Sequence, residues 1–147
     1  MTTAMKRIAT ALIVLLACAS LHAEERLITF GELPTAAKKF VLTYFKDVPI
    51  KEVFIERRAS LTQYEVELKS GVDLQFDRTG LCTEINCKKS AVPDAVVPQK
   101  ILAAVKKNFP KNYIVKYEHN GRMYELELDD STVLTFSNTG RLIDVDK

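Results

Sequence analysis

Acidic side chains recur at every second position in several short segments, where they could act as acid–base pairs or bind a cation. The candidates, with one amide among them, are Glu65, Glu67, Asp73, Gln75, Asp77, Glu125 and Glu127. Alternation alone would place them on a solvated sheet face. Four basic residues are available as cross-strand partners: Lys51, Lys69, Lys116 and Arg122. No segment resembles a calcium loop, so we predict a binding surface at Glu65, Glu67, Asp73, Gln75, Glu125 and Glu127, and no metal site.

Two cysteines, Cys82 and Cys87, form a second candidate pair. An extended segment would hold their Cα atoms roughly 16 Å apart, whereas a disulfide needs about 5.5 Å. A bridge therefore requires a turn near Asn86. We keep the disulfide and two free thiols as alternatives. A zinc site is disfavoured, since two cysteines without a nearby histidine are an incomplete ligand set.

Recognisable catalytic motifs are absent from the sequence. His119 lies beside Asn120-Gly121, at a predicted hairpin tip, and we interpret it as an exposed loop residue. There is no Gly-x-Ser-x-Gly, His-Glu-x-x-His or phosphate-binding glycine loop. We predict that the protein is not an enzyme and has no cofactor.

The first 23 residues have the order of a secretory signal. Lys6-Arg7 precede an apolar run at residues 8–19, and Glu24-Glu25 open the polar chain. The run of about 12 residues is shorter than the roughly 20 that span a bilayer, so we predict no transmembrane segment. The location expected is the periplasm or the exterior.

The end of that segment has three interpretations. Cleavage after Ala23 gives a polar start and is preferred, while cleavage after Ala19 also satisfies the preference for small residues. Residues 15–18 resemble a lipobox, in which Cys18 would be acylated and anchor a lipoprotein.

Removal of the signal changes the charge balance. Lys6 and Arg7 are its only charged residues, so 21 basic residues less 2 leaves 19, against 19 acidic ones. A nearly neutral chain gives no reason to expect a nucleic-acid partner.

An internal duplication organises the rest of the chain. Residues 64–68 (Tyr-Glu-Val-Glu-Leu) recur as residues 124–128 (Tyr-Glu-Leu-Glu-Leu), 60 positions later. The register continues through Leu74 and Leu134, Phe76 and Phe136, and a Thr-Gly pair at 79–80 and 139–140. The first copy carries four extra residues around 57–60, predicted to lie in a hairpin loop.

The spacing of apolar residues predicts one helix followed by four strands in each copy. Helical apolar spacing occurs at 37–45 and 101–109, after Pro34 and Pro98. Period-two alternation follows, with short turns that favour antiparallel pairing. We predict an α+β fold of two tandem repeats, each a helix packed on a four-stranded antiparallel sheet whose other face is charged and open.

These features resemble the PepSY-like proteins of bacterial envelopes. The likeness rests on Leu33-Pro34, the Tyr-Glu-x-Glu-Leu and Leu-x-Phe strands, the Thr-Gly turn, and the second start at residues 91–93. It divides the chain into a signal at 1–23 and repeats at 28–86 and 91–147. It implies an exported protein, similar in fold to the secreted β-lactamase inhibitor protein. In that fold the two helix-plus-four-strand units join into one sheet with a concave exposed face, which in the inhibitor binds a protein. No segment matches the inhibitor's contact loops, so none of its binding residues is transferred.

The function we expect is that of an exported binding protein without enzymatic activity. Its partner would be an envelope protein or peptide that contacts the exposed sheet face. The alternative is an envelope protein that binds a small ligand or cation with the same carboxylates.

Overall fold

The computed structural model describes residues 24–147, so the predicted signal and Cys18 lie outside the described residues. Two helices are present, α1 (Thr35–Tyr44) and α2 (Gln99–Asn108), each preceded by a short 3-10 turn. The strands are β1 (Glu24–Leu27), β2 (Ile50–Arg58), β3 (Leu61–Leu68), β4 (Asp73–Asp77), β5 (Cys82–Asn86), β6 (Ile114–His119), β7 (Met123–Leu128), β8 (Val133–Ser137) and β9 (Leu142–Asp146).

The strands form one continuous antiparallel sheet in the order β1 to β9. The two units join into one sheet, as the family resemblance implies, but this sheet has nine strands rather than two sets of four. The repeats join because β5 and β6 pair over three residues, Glu84–Asn86 against 116–118. The extra strand, β1, pairs with β2 and was not predicted, because its four residues are all exposed and show no apolar alternation.

One apolar core lies between the sheet and the two helices. Helix α1 contributes Ala37 and Val41, and helix α2 contributes Ile101 and Val105. The sheet contributes alternate residues that include Phe76 and Phe136, and both repeats belong to the same buried cluster. Burying each Val, Leu, Ile or Phe side chain contributes ~1.5–3 kcal/mol, which explains why the apolar alternation repeats so faithfully.

The repeated Thr-Gly pair brings a turn close to the start of each helix. Gly80 has a φ of +88°, and a Cβ there would lie 2.8 Å from the backbone nitrogen of Ala37. Gly140 has a φ of +81°, and a Cβ there would lie 2.9 Å from Cβ of Lys100. Glycine is needed for both the positive φ and the close approach.

The four extra residues of the first repeat lengthen a hairpin rather than a loop. Strands β2 and β3 pair from Arg58 and Leu61 inward, with only Ala59 and Ser60 between them. The corresponding strands β6 and β7 have 6 residues each, against 9 and 8 in the first repeat. The strands of the first repeat are thus longer by three and two residues, and their alternate residues Val53, Ile55, Val66 and Leu68 still face the core.

Candidate functional site

The face of the sheet opposite the helices, called here the open face, carries the predicted binding residues. Cross-strand pairing places Glu67 opposite Asp73 and Glu65 opposite Gln75, on β3 and β4. All four point away from the core because their neighbours Val66 and Leu74 point into it.

Three of these residues converge into what we call the carboxylate cluster: Glu65, Glu67 and Asp73. One carboxylate oxygen of each lies within 4.8 Å of the others, and all three residues are half-buried. Two lysines border the cluster. Lys51 Nζ lies 2.7 Å from Glu67 Oε2, and Lys88 Nζ lies 2.9 Å from Asp73 Oδ2.

The carboxylate cluster is electrostatically crowded. Partial burial raises the pKa of Glu65, and the negative charges of Asp73 and Glu67 raise it further. The hydrogen bond to Glu67 raises the pKa of Lys51, which keeps that ammonium charged. A site with these properties favours a cation, because positive charge relieves the repulsion among the carboxylates.

The second repeat does not reproduce this arrangement. Glu125 and Glu127 occupy the positions of Glu65 and Glu67, but Val133 stands opposite Glu127 where Asp73 stands in the first repeat. Lys116 lies on the other side of Glu127. Within residues 24–147 the five predicted carboxylates therefore separate into one cluster of three in the first repeat and two more isolated ones in the second.

Gln75 is not a member of the carboxylate cluster. Its Oε1 accepts a hydrogen bond of 2.6 Å from Gln63 Nε2, a pair that crosses β3 and β4 on the open face. Lys88 was missed by sequence reasoning, since it lies in the turn after β5, 15 residues from the aspartate it contacts. Its positive φ of 56° was not readable from the sequence.

A groove of about 410 Å³ lies where the two repeats meet on the open face. Asp77 and Glu84 line it from the first repeat, and Glu118 and His119 from the second. His119 ends strand β6, half-buried, with its ring stacked 4.1 Å from that of Tyr124. This differs from the exposed loop position predicted for it, because β6 extends to the hairpin turn.

The two cysteines are free thiols in the structure, and both are buried on the core side. Strand β5 keeps the chain extended from Cys82 to Asn86, so the turn that a bridge requires does not form between them. Burial raises the pKa of Cys82 to about 12 and also raises that of Cys87. Thiols of this kind are poor nucleophiles at neutral pH.

The fold sorts the charges of a nearly neutral chain onto two faces. Every charged residue within α1 and α2 is a lysine. The open face, by contrast, is mainly acidic, and besides the predicted residues it carries Glu52, Glu56, Glu84, Glu118, Asp144 and Asp146. The acidic face is the one that the helices leave uncovered, so it is accessible to a partner.

Comparison with known proteins finds a family model that matches most of this chain. A family model described as PepSY-like and beta-lactamase-inhibitor-like matches residues 22–83 and 62–144. No functionally curated protein matches the sequence. Among the described residues, neither helix has the length and apolar character needed to cross a membrane.

Three solved structures of similar proteins come from Bacteroides. A periplasmic protein of Bacteroides thetaiotaomicron, proposed to be calcium-regulated, is 30% identical with a TM-score of 0.82, covering 84% of this chain and 97% of that one. A proposed periplasmic protein of the DUF2874 family from Bacteroides vulgatus is 34% identical with a TM-score of 0.82, covering 84% and 98%. A third, also from Bacteroides vulgatus and of unknown function, is 28% identical with a TM-score of 0.80, covering 84% and 100%.

The match spans both repeats, and the relatives are described as periplasmic. By its duplicated sequence, its continuous sheet and these relationships, the chain belongs to the PepSY-like family.

Proposed function

We propose that this protein is an exported, non-enzymatic binding protein whose acidic open face engages a basic segment of an envelope protein or peptide. The observation that carries the proposal is the separation of charge between the open face and the lysine-bearing helices. A sheet face with no covering layer and one predominant sign of charge attracts a complementary partner and orients it on approach.

The distribution of ion pairs supports this interpretation. Lys116 is the main positive charge in the middle of the open face, 3.4 Å from Glu84 and 3.6 Å from Glu118. These ion pairs of Lys116 do not include Glu125, whose side chain is exposed. Exposed ion pairs contribute only ~0–1 kcal/mol each, so a partner that brings several basic groups can exchange them at small cost.

Charge reversal on the two faces tests the proposal. E65K/E67K/E125K/E127K is compared with the wild type in quantitative pull-downs from envelope extract. K39E/K107E, which reverses exposed charges on the helices, is the control. We expect the open-face variant to lose partners that the helix variant retains. Identical partner lists for wild type and open-face variant would refute a role for this face.

A second candidate function is binding of a divalent cation, in particular Ca²⁺, at the carboxylate cluster. Two observations favour it: the convergence of three carboxylates within 4.8 Å, and a relative at 30% identity that is proposed to be calcium-regulated. The three side chains offer at most six oxygens, and Ca²⁺ takes about 6–8, so water would complete the shell. Lys51 and Lys88 would have to move away.

Thermal unfolding across a Ca²⁺ titration tests this candidate, since a ligand of the native state raises stability. We expect a Ca²⁺-dependent rise in Tm that E67Q/D73N abolishes. E127Q, in the second repeat, should leave the rise unchanged. K51Q/K88Q should produce the same rise at lower Ca²⁺ concentration, because it removes the competing ammonium groups. The absence of any Ca²⁺-dependent shift in wild type and K51Q/K88Q would exclude the site.

A further inference from the structure

The last strand, β9, leaves a polar backbone edge and apolar side chains exposed. Within residues 24–147 it pairs only with β8. Its Ile143 and Val145 are 50% and 39% exposed. By the 60-residue repeat, β9 is the counterpart of β5, and Val145 corresponds to Ile85, which is fully buried. The difference arises because β6 covers the far edge of β5.

The β5–β6 junction shows what kind of strand fits such an edge. Tyr117 lies opposite Ile85, and Lys116 lies opposite Asn86 with its ammonium 3.4 Å from Glu84. Cys87 donates its backbone N–H to the carbonyl of Val115 at 2.8 Å. Hydrogen-bonded and non-hydrogen-bonded pairs alternate in antiparallel strands, so Ile85 and Tyr117 also form a hydrogen-bonded pair.

We propose that β9 accepts an extended segment of a partner protein as a tenth antiparallel strand, and that this segment carries basic residues on both sides of an apolar one. The apolar residue would lie opposite Val145, as Tyr117 lies opposite Ile85. The basic residues would lie opposite Asp144 and Asp146, which replace Glu84 and Asn86 of β5. Backbone hydrogen bonds would supply affinity, and the alternating side chains specificity.

The charges of β9 argue against a second copy of this chain as the occupant. Antiparallel pairing of β9 with itself, centred on Asp144, sets that aspartate against its own copy. Pairing with β1 of another copy, with the two open faces continuous, can set Glu25 opposite Asp144 or Asp146. Like charges directly opposite one another are destabilising, whereas a basic segment complements the edge. The inference concerns the edge of the sheet and does not rest on the function proposed for the carboxylate-rich centre of the open face.

A peptide copied from β6 provides the probe. Residues 114–119 carrying E118K, labelled with fluorescein, present a basic residue to both Asp144 and Asp146. Fluorescence anisotropy at physiological salt should show saturable binding to the purified protein. D144K/D146K should weaken binding by about tenfold or more. D47K/D94K, which reverses equal charge at exposed positions beside the helices, should change it by no more than about twofold.

Backbone methylation of the peptide distinguishes strand addition from simple charge attraction. N-methylation at the Tyr117 position removes the N–H that would face β9 and should abolish binding. The same change at the Lys116 position, whose N–H faces away, should be tolerated. Equal effects of the two methylations, or equal weakening by D144K/D146K and D47K/D94K, would overturn the proposal. So would reversible dimerisation that the peptide competes away, since it would assign the edge to a second copy.

Discussion

The two repeats have the same scaffold but different chemistry on the open face. Their buried positions match closely: Leu74 and Leu134 are both fully buried, as are Phe76 and, to within 1%, Phe136. One row across the open face differs. It reads Glu52, Glu67 and Asp73 in the first repeat and Lys116, Glu127 and Val133 in the second. Packing constrains the inner face of both copies, whereas the outer face is free to diverge, so the carboxylates converge in the first repeat and not in the second.

The largest expected effect tests how equal the two halves of the core are. Phe76→Ala should destabilise the fold by about 3–5 kcal/mol. Phe136→Ala should cost less by about 0.5–1.5 kcal/mol, because Phe76 also makes an edge-on contact with Phe40 at 5.5 Å. Urea unfolding followed by circular dichroism measures both, with Phe76→Leu and Phe136→Leu as milder pairs. Equal losses would mean that the aromatic contact adds nothing.

The second test compares the two Thr-Gly turns. Gly71→Ala and Gly121→Ala, where a Cβ meets nothing within 4 Å, should each cost about 1–2 kcal/mol for the positive φ alone. Gly80→Ala should cost about 1–3 kcal/mol more, because the Cβ meets the backbone of Ala37. Gly140→Ala should fall between, since the Lys100 side chain can move. Equilibrium unfolding of the four variants checks the order, and Gly80→Ala equal to Gly71→Ala would contradict it.

The third test transfers the distinctive row of the first repeat to the second. K116E/V133D should add at position 133 a third carboxylate beside Glu125 and Glu127, as Asp73 lies beside Glu65 and Glu67, and should remove the lysine opposite Glu127. If the cluster binds Ca²⁺, the variant should gain a second stabilising increment of about 1.4 kcal/mol at a free Ca²⁺ concentration tenfold above Kd. Differential scanning calorimetry with and without Ca²⁺ measures it. A K116E/V133N control lacks the third charge, and an equal increment there would show that the carboxylate of residue 133 is not a ligand.

The smallest expected effect concerns pH. The pKa of Glu65 is raised from 4.5 by burial and by Asp73 and Glu67, so the folded protein holds this proton more tightly than the unfolded chain. Its contribution to the free energy of unfolding therefore falls as pH rises from 4.5 through the raised pKa. Glu65→Gln should remove that part of the slope, and Glu125→Gln at the exposed equivalent position is the control. Urea midpoints between pH 4 and 7 provide the measurement, and equal slopes for Glu65→Gln and wild type would contradict the interpretation.

Local patterns in the sequence were sufficient to predict most of the elements. Pro34 and Pro98 flank the starts of the helices, and the alternation at residues 64–68 and 124–128 marks strands that the structure contains. Strand β1 was not predicted, because neither of its faces is buried. The joining of the repeats into one sheet was implied by the family resemblance and not by local patterns, since β5 and β6 pair over only three residues and are separated in sequence by a helix.

The sequence predicted which residues belong to the candidate site but not which of them lie close together in space. Alternation correctly put Glu65, Glu67 and Asp73 on the outer face of the sheet. It could not tell that these three converge while Glu125 and Glu127 do not, because convergence depends on the residue opposite, Asp73 or Val133. Lys88 contacts Asp73 because its backbone adopts a turn conformation with positive φ, which the alternation of residue types does not predict.

The sequence by itself determined the duplication, the apolar face of each element and the near equality of 19 basic and 19 acidic residues after the predicted signal. These are properties of composition and of local spacing. The tertiary structure decided that the acidic residues gather on the open face, that the lysines of α1 and α2 lie on the other side, and that β9 lies at one edge of the sheet formed by residues 24–147. The reason is that strand pairing sets residues distant in sequence opposite one another, and this register is fixed by burial of the whole core rather than by any single segment.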